Sequence, residues 1–319
     1  MKRAAVLGTI VLGGVAVTGL MAQGLPPIEP IEQVSEDVYK IQGAGGNTVV
    51  FVRENDVVLI DTKLPGQGEG ILEQVRSITD KPVTMVINTH SHPDHVGSNA
   101  WFRENHGVQV VAHANSAARM TAETEGPFPP NEVDTEFSTY RAIGEGEDKI
   151  ELYYFGAGHT DGDAFVFFPD DRVLAAGDIY AWHMSPLIDP GSGGSMLALP
   201  TTVTAAYYSI PDAEQVIAGH GAVHTREEFL SWVTFNRGLV QIAEQTAQTG
   251  GTPEDALARL EGVPSFGQFL GDDLMPGLEY GGTPRGRAYI NLMVAFEELR
   301  GEEPQLRMGI DPAEIPPRQ

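Results

Sequence analysis

Cysteine is absent from all 319 residues. That excludes disulfides, thiolate metal ligands and a cysteine nucleophile, and it leaves the redox compartment unmarked. Cations are scarce too: 20 Lys and Arg stand against 44 Asp and Glu, a formal net charge of -24. A surface this acidic repels phosphate backbones and anionic lipid heads. Nucleic acid is thereby disfavoured as a partner; the expected partner, a small-molecule substrate, follows from the site chemistry and not from the charge. Long apolar runs are missing except near the start, where residues 4–20 are uncharged and mostly apolar behind Lys2 and Arg3. That pattern predicts a signal peptide over residues 1–22 and a periplasmic or secreted protein. Leu20 fits poorly where a small residue is preferred before a cleavage site, so an uncleaved membrane anchor is the alternative, although the run is short for a span.

What is present is an ordinary globular composition, 41% hydrophobic and 20% charged, in a chain long enough for one large core. After a Pro-rich stretch at Gly24–Pro30, β-branched runs at residues 38–42, 47–52 and 57–60 predict strands. Helical and extended segments then alternate: a helix near 69–78, a strand at 83–87, a helix at 97–104, a strand at 108–111 and a helix at 114–120. A loop with Gly126, Pro127, Phe128, Pro129 and Pro130 follows, long enough to cover a site. Strands are expected at 150–155, 164–168, 172–175 and 216–218, and helices dominate the last third. Thr225 with Glu228 predicts a capping box, Thr252–Pro253 opens another helix, and residues 285–300 form the last. The alternation defines an α/β protein.

The chemistry gathers after the strand at 83–87, in Thr89-His90-Ser91-His92-Pro93-Asp94-His95. His90 and His92 alternate in an extended stretch and can face one way. Pro93 suits a first helical turn, so Asp94 and His95 start a helix and point elsewhere. One segment can thus serve two adjacent metal ions. Three more candidates each follow a strand: His159 in Gly158-His159-Thr160, Asp178 in Gly177-Asp178 and His220 in Gly219-His220. Imidazole and carboxylate without thiolate suit zinc, two ions per chain, with another divalent metal as the alternative. A lone histidine after a strand is usually structural. Seven candidates at strand ends, four of them within six residues, are not explained that way.

His90-x-His92-x-Asp94-His95, Gly158-His159-Thr160, Gly177-Asp178 and Gly219-His220, in that order, resemble the metallo-β-lactamase superfamily. The resemblance implies an αββα sandwich, with a catalytic domain over residues 31–240 and a C-terminal helical extension, 241–319, packed on it. It implies His90, His92 and His159 on one metal, Asp94, His95 and His220 on the other, and Asp178 bridging. Asp61 matches an aspartate of the family that orients a ligand or its loop. The commonest β-lactamase subclass carries cysteine where Asp178 stands. Asp178 is more similar to the glyoxalase II, lactonase and arylsulfatase-like branches, and the Gly-Cys-Gly-rich pattern of glyoxalase II is missing after it. His92, where the flavin-linked diiron proteins carry glutamate, argues against oxygen reduction.

The expected function is an exported dinuclear zinc hydrolase, in which water activated to hydroxide by the metals attacks an ester, lactone, thioester or amide carbonyl. The alternatives are β-lactam hydrolysis and an iron-dependent persulfide dioxygenase-like oxidoreductase, which metal analysis distinguishes. Asp94 is also a candidate proton acceptor during attack. Tyr180 and His183, just after Asp178, are candidate donors to the developing oxyanion. His106, His113 and His224 read as structural or solvated, and Arg285, Arg287 and Tyr289 as ordinary surface residues.

Overall fold

The structure, a computed structural model, describes residues 27–122, 131–274 and 282–318. The predicted signal peptide, and the loop segment Gly126–Pro130 with Phe128, lie outside the described residues.

Two mixed sheets stack face to face. The first has seven strands in sequential order: β1 (Glu32–Gln33), β2 (Val38–Ile41), β3 (Thr48–Val52), β4 (Val57–Ile60), β5 (Val83–Ile87), β6 (Gln109–His113) and β7 (Thr135–Phe137). Its first four strands pair antiparallel, and β4 to β7 run parallel. The second sheet holds β8 (Tyr140–Ile143), β9 (Ile150–Tyr153), β10 (Phe165–Phe168), β11 (Val173–Gly177), β12 (Gln215–Ala218) and β13 (Val223–Thr225). There only β11 and β12 are parallel.

Period-two alternation sends side chains to two different cores. Val49, Phe51, Val58 and Ile60 meet Leu152, Val166, Phe168 and Val173 between the sheets. Their sequence neighbours Val50, Val57 and Leu59 face outward, onto α1 (Gly68–Arg76), α3 (Asn99–His106) and α4 (Ala114–Ala122), through Ile71, Val75, Phe102 and Met120. Strands covered on both faces read as continuous apolar runs, which is why β3 and β4 are so hydrophobic. Each such side chain fully removed from water contributes about 1.5–3 kcal/mol.

On the far face, Phe165, Phe167, Leu174 and Val216 meet α5 (Leu199–Ser209), α6 (Arg226–Gln248), α7 (Pro253–Glu261) and α8 (Pro284–Leu299). The layers therefore run helix, sheet, sheet, helix: the αββα sandwich, with C-terminal helices on its second face. Thr225 and Glu228 make the expected capping box on α6, and Thr252 makes another with Asp255 on α7. The position expected to divide catalytic domain from extension, after residue 240, falls inside α6.

Two differences from expectation have simple causes. Helix α5 was not anticipated, because Thr201, Thr202, Val203 and Thr204 favour strands; burial of Leu199, Val203 and Ala206 overrides that propensity. Arg285, Arg287 and Tyr289 are buried, not on the surface. Arg285 pairs with Glu261 and donates to the Pro316 carbonyl, and Arg287 donates to the carbonyls of Arg307 and Met308. They strap the C-terminal segment onto α8. No helix among the described residues is long and apolar enough to cross a membrane.

Candidate metal centre

The short helix α2 (Pro93–Val96) begins as the Pro93 signal predicts, with His92 extended before it. His90 and His92 therefore leave β5 on an extended backbone, while Asp94 and His95 turn onto the helix. Asp178 follows β11 and His220 follows β12, and these parallel strands end side by side at Gly177 and Ala218. The β2–β3 loop closes the cleft from the other sheet: Asn47 donates its backbone N–H to the Gly219 carbonyl and its side-chain amide to that of Ala218.

All seven predicted ligands converge. Potential ligand atoms of His90, His92, His159 and Asp178 lie within 4.8 Å of one another, and so do those of Asp94, His95 and His220. Asp178 joins the two groups: Oδ2 is 3.9 Å from His159 Nε2, and Oδ1 is 3.1 Å from His95 Nε2 and 3.5 Å from His220 Nε2.

Hydrogen bonds assign the imidazole tautomers. A carboxylate or carbonyl can only accept, so the proton lies on the nitrogen facing it. Asp61 Oδ2 accepts from His95 Nδ1 at 2.8 Å, Asp189 Oδ2 from His92 Nε2 at 2.9 Å, and the Leu187 carbonyl from His159 Nδ1 at 2.7 Å. Thr89 donates its hydroxyl to Asp61, so its oxygen accepts from His90 Nδ1, 3.0 Å away. The second nitrogen of each of these four rings faces inward. His159 Nε2 and His92 Nδ1 face each other at 2.9 Å. His90 Nε2, His95 Nε2 and Asp178 Oδ1 are buried with no hydrogen-bond partner. Facing nitrogens and buried atoms without partners need positive charge among them, from a metal ion or, in its absence, from the protons that neighbouring carboxylates hold on His92, His95 and His220. The donor set, imidazole and carboxylate without sulfur, fits zinc.

Electrostatics divide the rings into two kinds. Burial, with His95 and His159 beside it, holds His90 well below the usual histidine range, and burial with His92 lowers His159 to about 4. Both rings are neutral and ready to ligate. Burial opposes charge on His95 and His220, but Asp178 and Asp94 outweigh it and raise His220 to about 9. Burial likewise works against the Asp178 carboxylate, and His95 and His220 hold it far below its usual value.

The other candidates sit elsewhere. Tyr180 is 1% exposed, ringed by His224, Phe229 and Trp232, and its hydroxyl has no hydrogen-bond partner. His183 is partly exposed, against Trp182 and Phe269. His113 stacks on Tyr154.

Several supporting residues were not foreseen. Asp189 and the Leu187 carbonyl lie about thirty residues beyond His159, and nothing local marks them. Lys63 is fully buried at positive φ, donating to the carbonyls of Ile41 and Gly46 beneath the β2–β3 loop. Asp163 accepts from the Thr160 amide and hydroxyl and fixes the turn after His159; the Gly-His-Thr-x-Gly-Asp spacing carried that signal.

A convergent imidazole–carboxylate centre at one edge of an αββα sandwich defines a metal-dependent hydrolase fold. The sequence model of the metallo-beta-lactamase superfamily matches residues 42–220, more than half of the chain, and the chain belongs to that family. It is 29% identical over 224 residues to the metallo-beta-lactamase type 2 of Elizabethkingia meningoseptica, covering 64% of this chain and 84% of the relative. It is 30% identical over 178 residues to that of Bacillus sp. (strain 170), covering 56% and 67%. A metallo-beta-lactamase structure from Pontibacter korlensis superimposes with a TM-score of 0.56 at 21% identity, covering 65% of this chain and 99% of that one. The protein is a metal-dependent hydrolase of this superfamily.

Proposed function

We propose that the protein is an exported hydrolase with two zinc ions that cleaves an ester, lactone, thioester or amide. The observation that carries this is Asp178, whose two oxygens face two separate imidazole groups. On this reading His90, His92 and His159 hold one ion, Asp94, His95 and His220 the other, and Asp178 bridges. When bound, a pair of divalent ions supplies Lewis acidity to a carbonyl oxygen and acidifies a shared water.

The residues do the rest. Asp61, Asp189 and the Leu187 carbonyl engage the outer nitrogen of each ligand ring and so aim its other nitrogen inward. Asp94 is the most exposed of the carboxylate ligands, its side chain 31% accessible, and Oδ2 lies 3.2 Å from His220 Nε2. His95 and His220 offset its burial and keep it ionised. It is placed to accept a hydrogen bond from the attacking water. For the oxyanion, the partly exposed His183 is the candidate donor, whereas Tyr180 is buried among Phe229 and Trp232. The export reading rests on Lys2, Arg3 and the apolar residues 4–20.

β-Lactam hydrolysis is the second reading, favoured by relatives named metallo-beta-lactamase. It is set against the bridging aspartate. The test is a turnover panel on the zinc-loaded protein, comprising nitrocefin, homoserine lactones, simple esters and a glutathione thioester, with metal content measured in parallel. Lactone or ester turnover exceeding nitrocefin turnover supports the first reading, and the reverse order supports the second. One iron per chain with oxygen uptake would overturn both.

A further inference from the structure

The residues that aim His92 and His159 lie on one segment, 185–197, which wraps the His159 loop. Asp189 donates its amide to the His159 carbonyl, and Ser195 donates its amide to that of Gly158. The segment contains no regular strand, and it is gripped at both ends by a single helix. At its start, Asn291 of α8 donates to the Ser185 hydroxyl at 2.7 Å and to the Pro186 carbonyl at 2.8 Å. The next residue is Leu187, whose carbonyl accepts from His159 Nδ1. At its end, Glu298 of α8 accepts from the Ser195 hydroxyl at 2.6 Å and the Met196 amide at 2.8 Å. Asn291 and Glu298 are seven positions apart, two helical turns, and so lie on one face of α8. Helix α6 adds two supports: Asn236 accepts from the Ser185 hydroxyl, and Trp232 donates to the Met184 carbonyl.

Asn291 is 0% exposed and sits among apolar side chains of the helical layer. A buried amide in that setting is costly where it is not hydrogen-bonded; its Nδ2 donates to Ser185 and Pro186 while its Oδ1 has no partner, so the donor side specifies the position of the segment. Helix α8 also lies beyond residues 42–220, the span that matches the family.

We propose that α8 is a working part of the metal centre: Asn291 and Glu298 are positioning residues that splint segment 185–197, so that the Leu187 carbonyl and Asp189 hold His159 and His92 in their ligating tautomers. This rests on the assignment of His90, His92 and His159 to one ion. It requires that loosening α8 weaken that three-histidine site while the Asp94, His95 and His220 site, which leans on Asp61 instead, keeps its affinity.

The experiment compares the full chain with Asn291→Leu, Glu298→Gln and the control Glu261→Gln. The control breaks the ion pair of Arg285 on the same helix without touching the segment. Zinc is titrated against a chromophoric chelator, and hydrogen-bonded imidazole N–H protons are followed by NMR in the metal-free protein. In both test variants one of the two zinc-binding steps weakens on the order of tenfold or more, as loss of support behind a ligand does. The His159 and His92 N–H signals shift or vanish in those variants, and His95 N–H remains. The control binds like wild type. If Asn291→Leu does not fold, Glu298→Gln alone carries the test. Variants that are less heat-stable yet keep both affinities and all three N–H signals overturn the proposal and leave α8 a structural helix. A wild-type chain that binds no zinc overturns the metal assignment and this proposal with it.

Discussion

Asp61 and His95 form the joint on which both halves of the metal centre turn. Asp61 follows β4 with φ at 63°, in the left-handed region that aspartate tolerates better than most side chains. That turn aims Oδ2 at His95 Nδ1, 2.8 Å away, while the same carboxylate accepts from the Thr89 amide and hydroxyl. Thr89 in turn touches His90. One aspartate thus orients a ring in each of the two proposed metal sites.

Asp61→Asn keeps the backbone conformation and can still accept from Thr89. Its amide donates where the carboxylate accepted, so His95 must carry its proton on Nε2 and lose its inward lone pair. Zinc affinity at the His95 site should fall by about 10–100-fold. Isothermal titration checks this, and unchanged affinity removes Asp61 from the scheme.

Single ligand replacements separate the two ions. His159→Ala and His220→Ala should each lower zinc content from two per chain toward one. Elemental analysis of the dialysed variants decides. Retention of two ions by both would show that the ligand sets are misassigned.

Gly219 is a steric requirement of the site. A methyl group there would meet Asp178 Oδ1 at 1.8 Å, and His220 is the next residue. Gly219→Ala should therefore cost metal binding while leaving most of the fold's stability, because the displaced groups lie at the cleft. Far-UV circular dichroism with a zinc titration reads both. Wild-type zinc affinity in the variant would contradict the packing.

Lys63 makes stability depend on pH. Burial lowers its pKa to about 7, with Asp61 and Glu29 opposing. Between about pH 7 and the usual lysine value, the unfolded chain holds a proton that the folded chain has lost, so stability rises with pH by at most about 1.4 kcal/mol per unit. Lys63→Met abolishes this rise and leaves the Ile41 and Gly46 carbonyls unpaired, so its destabilisation grows from pH 7 to pH 9. Urea unfolding of both proteins at the two pH values gives the slopes, and equal slopes would refute the assignment.

Tyr180 and His183 can be told apart by simple truncation. Tyr180→Phe deletes a buried hydroxyl that has no partner, so stability should hold or rise by about 1 kcal/mol, with turnover kept. His183→Ala should lower kcat without altering zinc content. A large loss of kcat in Tyr180→Phe would make that hydroxyl the oxyanion donor.

The sequence by itself determined which seven side chains converge and the strand framework. His90-x-His92-x-Asp94-His95 is a local motif: extended backbone followed by a proline-led turn sends its side chains in two directions, and that geometry needs no distant contact. The apolar runs of β3, β4 and β5, and the Thr225–Glu228 cap, are equally local. Tertiary structure alone decided which groups stand behind the ligands. Asp189, Leu187, Lys63 and Asn291 act across separations of 17 to 106 residues. They work through one or two hydrogen bonds each, which leave no periodic trace in the chain. It also decided that α5 is a helix despite its threonines, because burying one face offsets a small intrinsic preference. Pattern reports what a residue does to its own backbone. Which nitrogen of a histidine is left free to bind depends on what the fold brings up behind the ring.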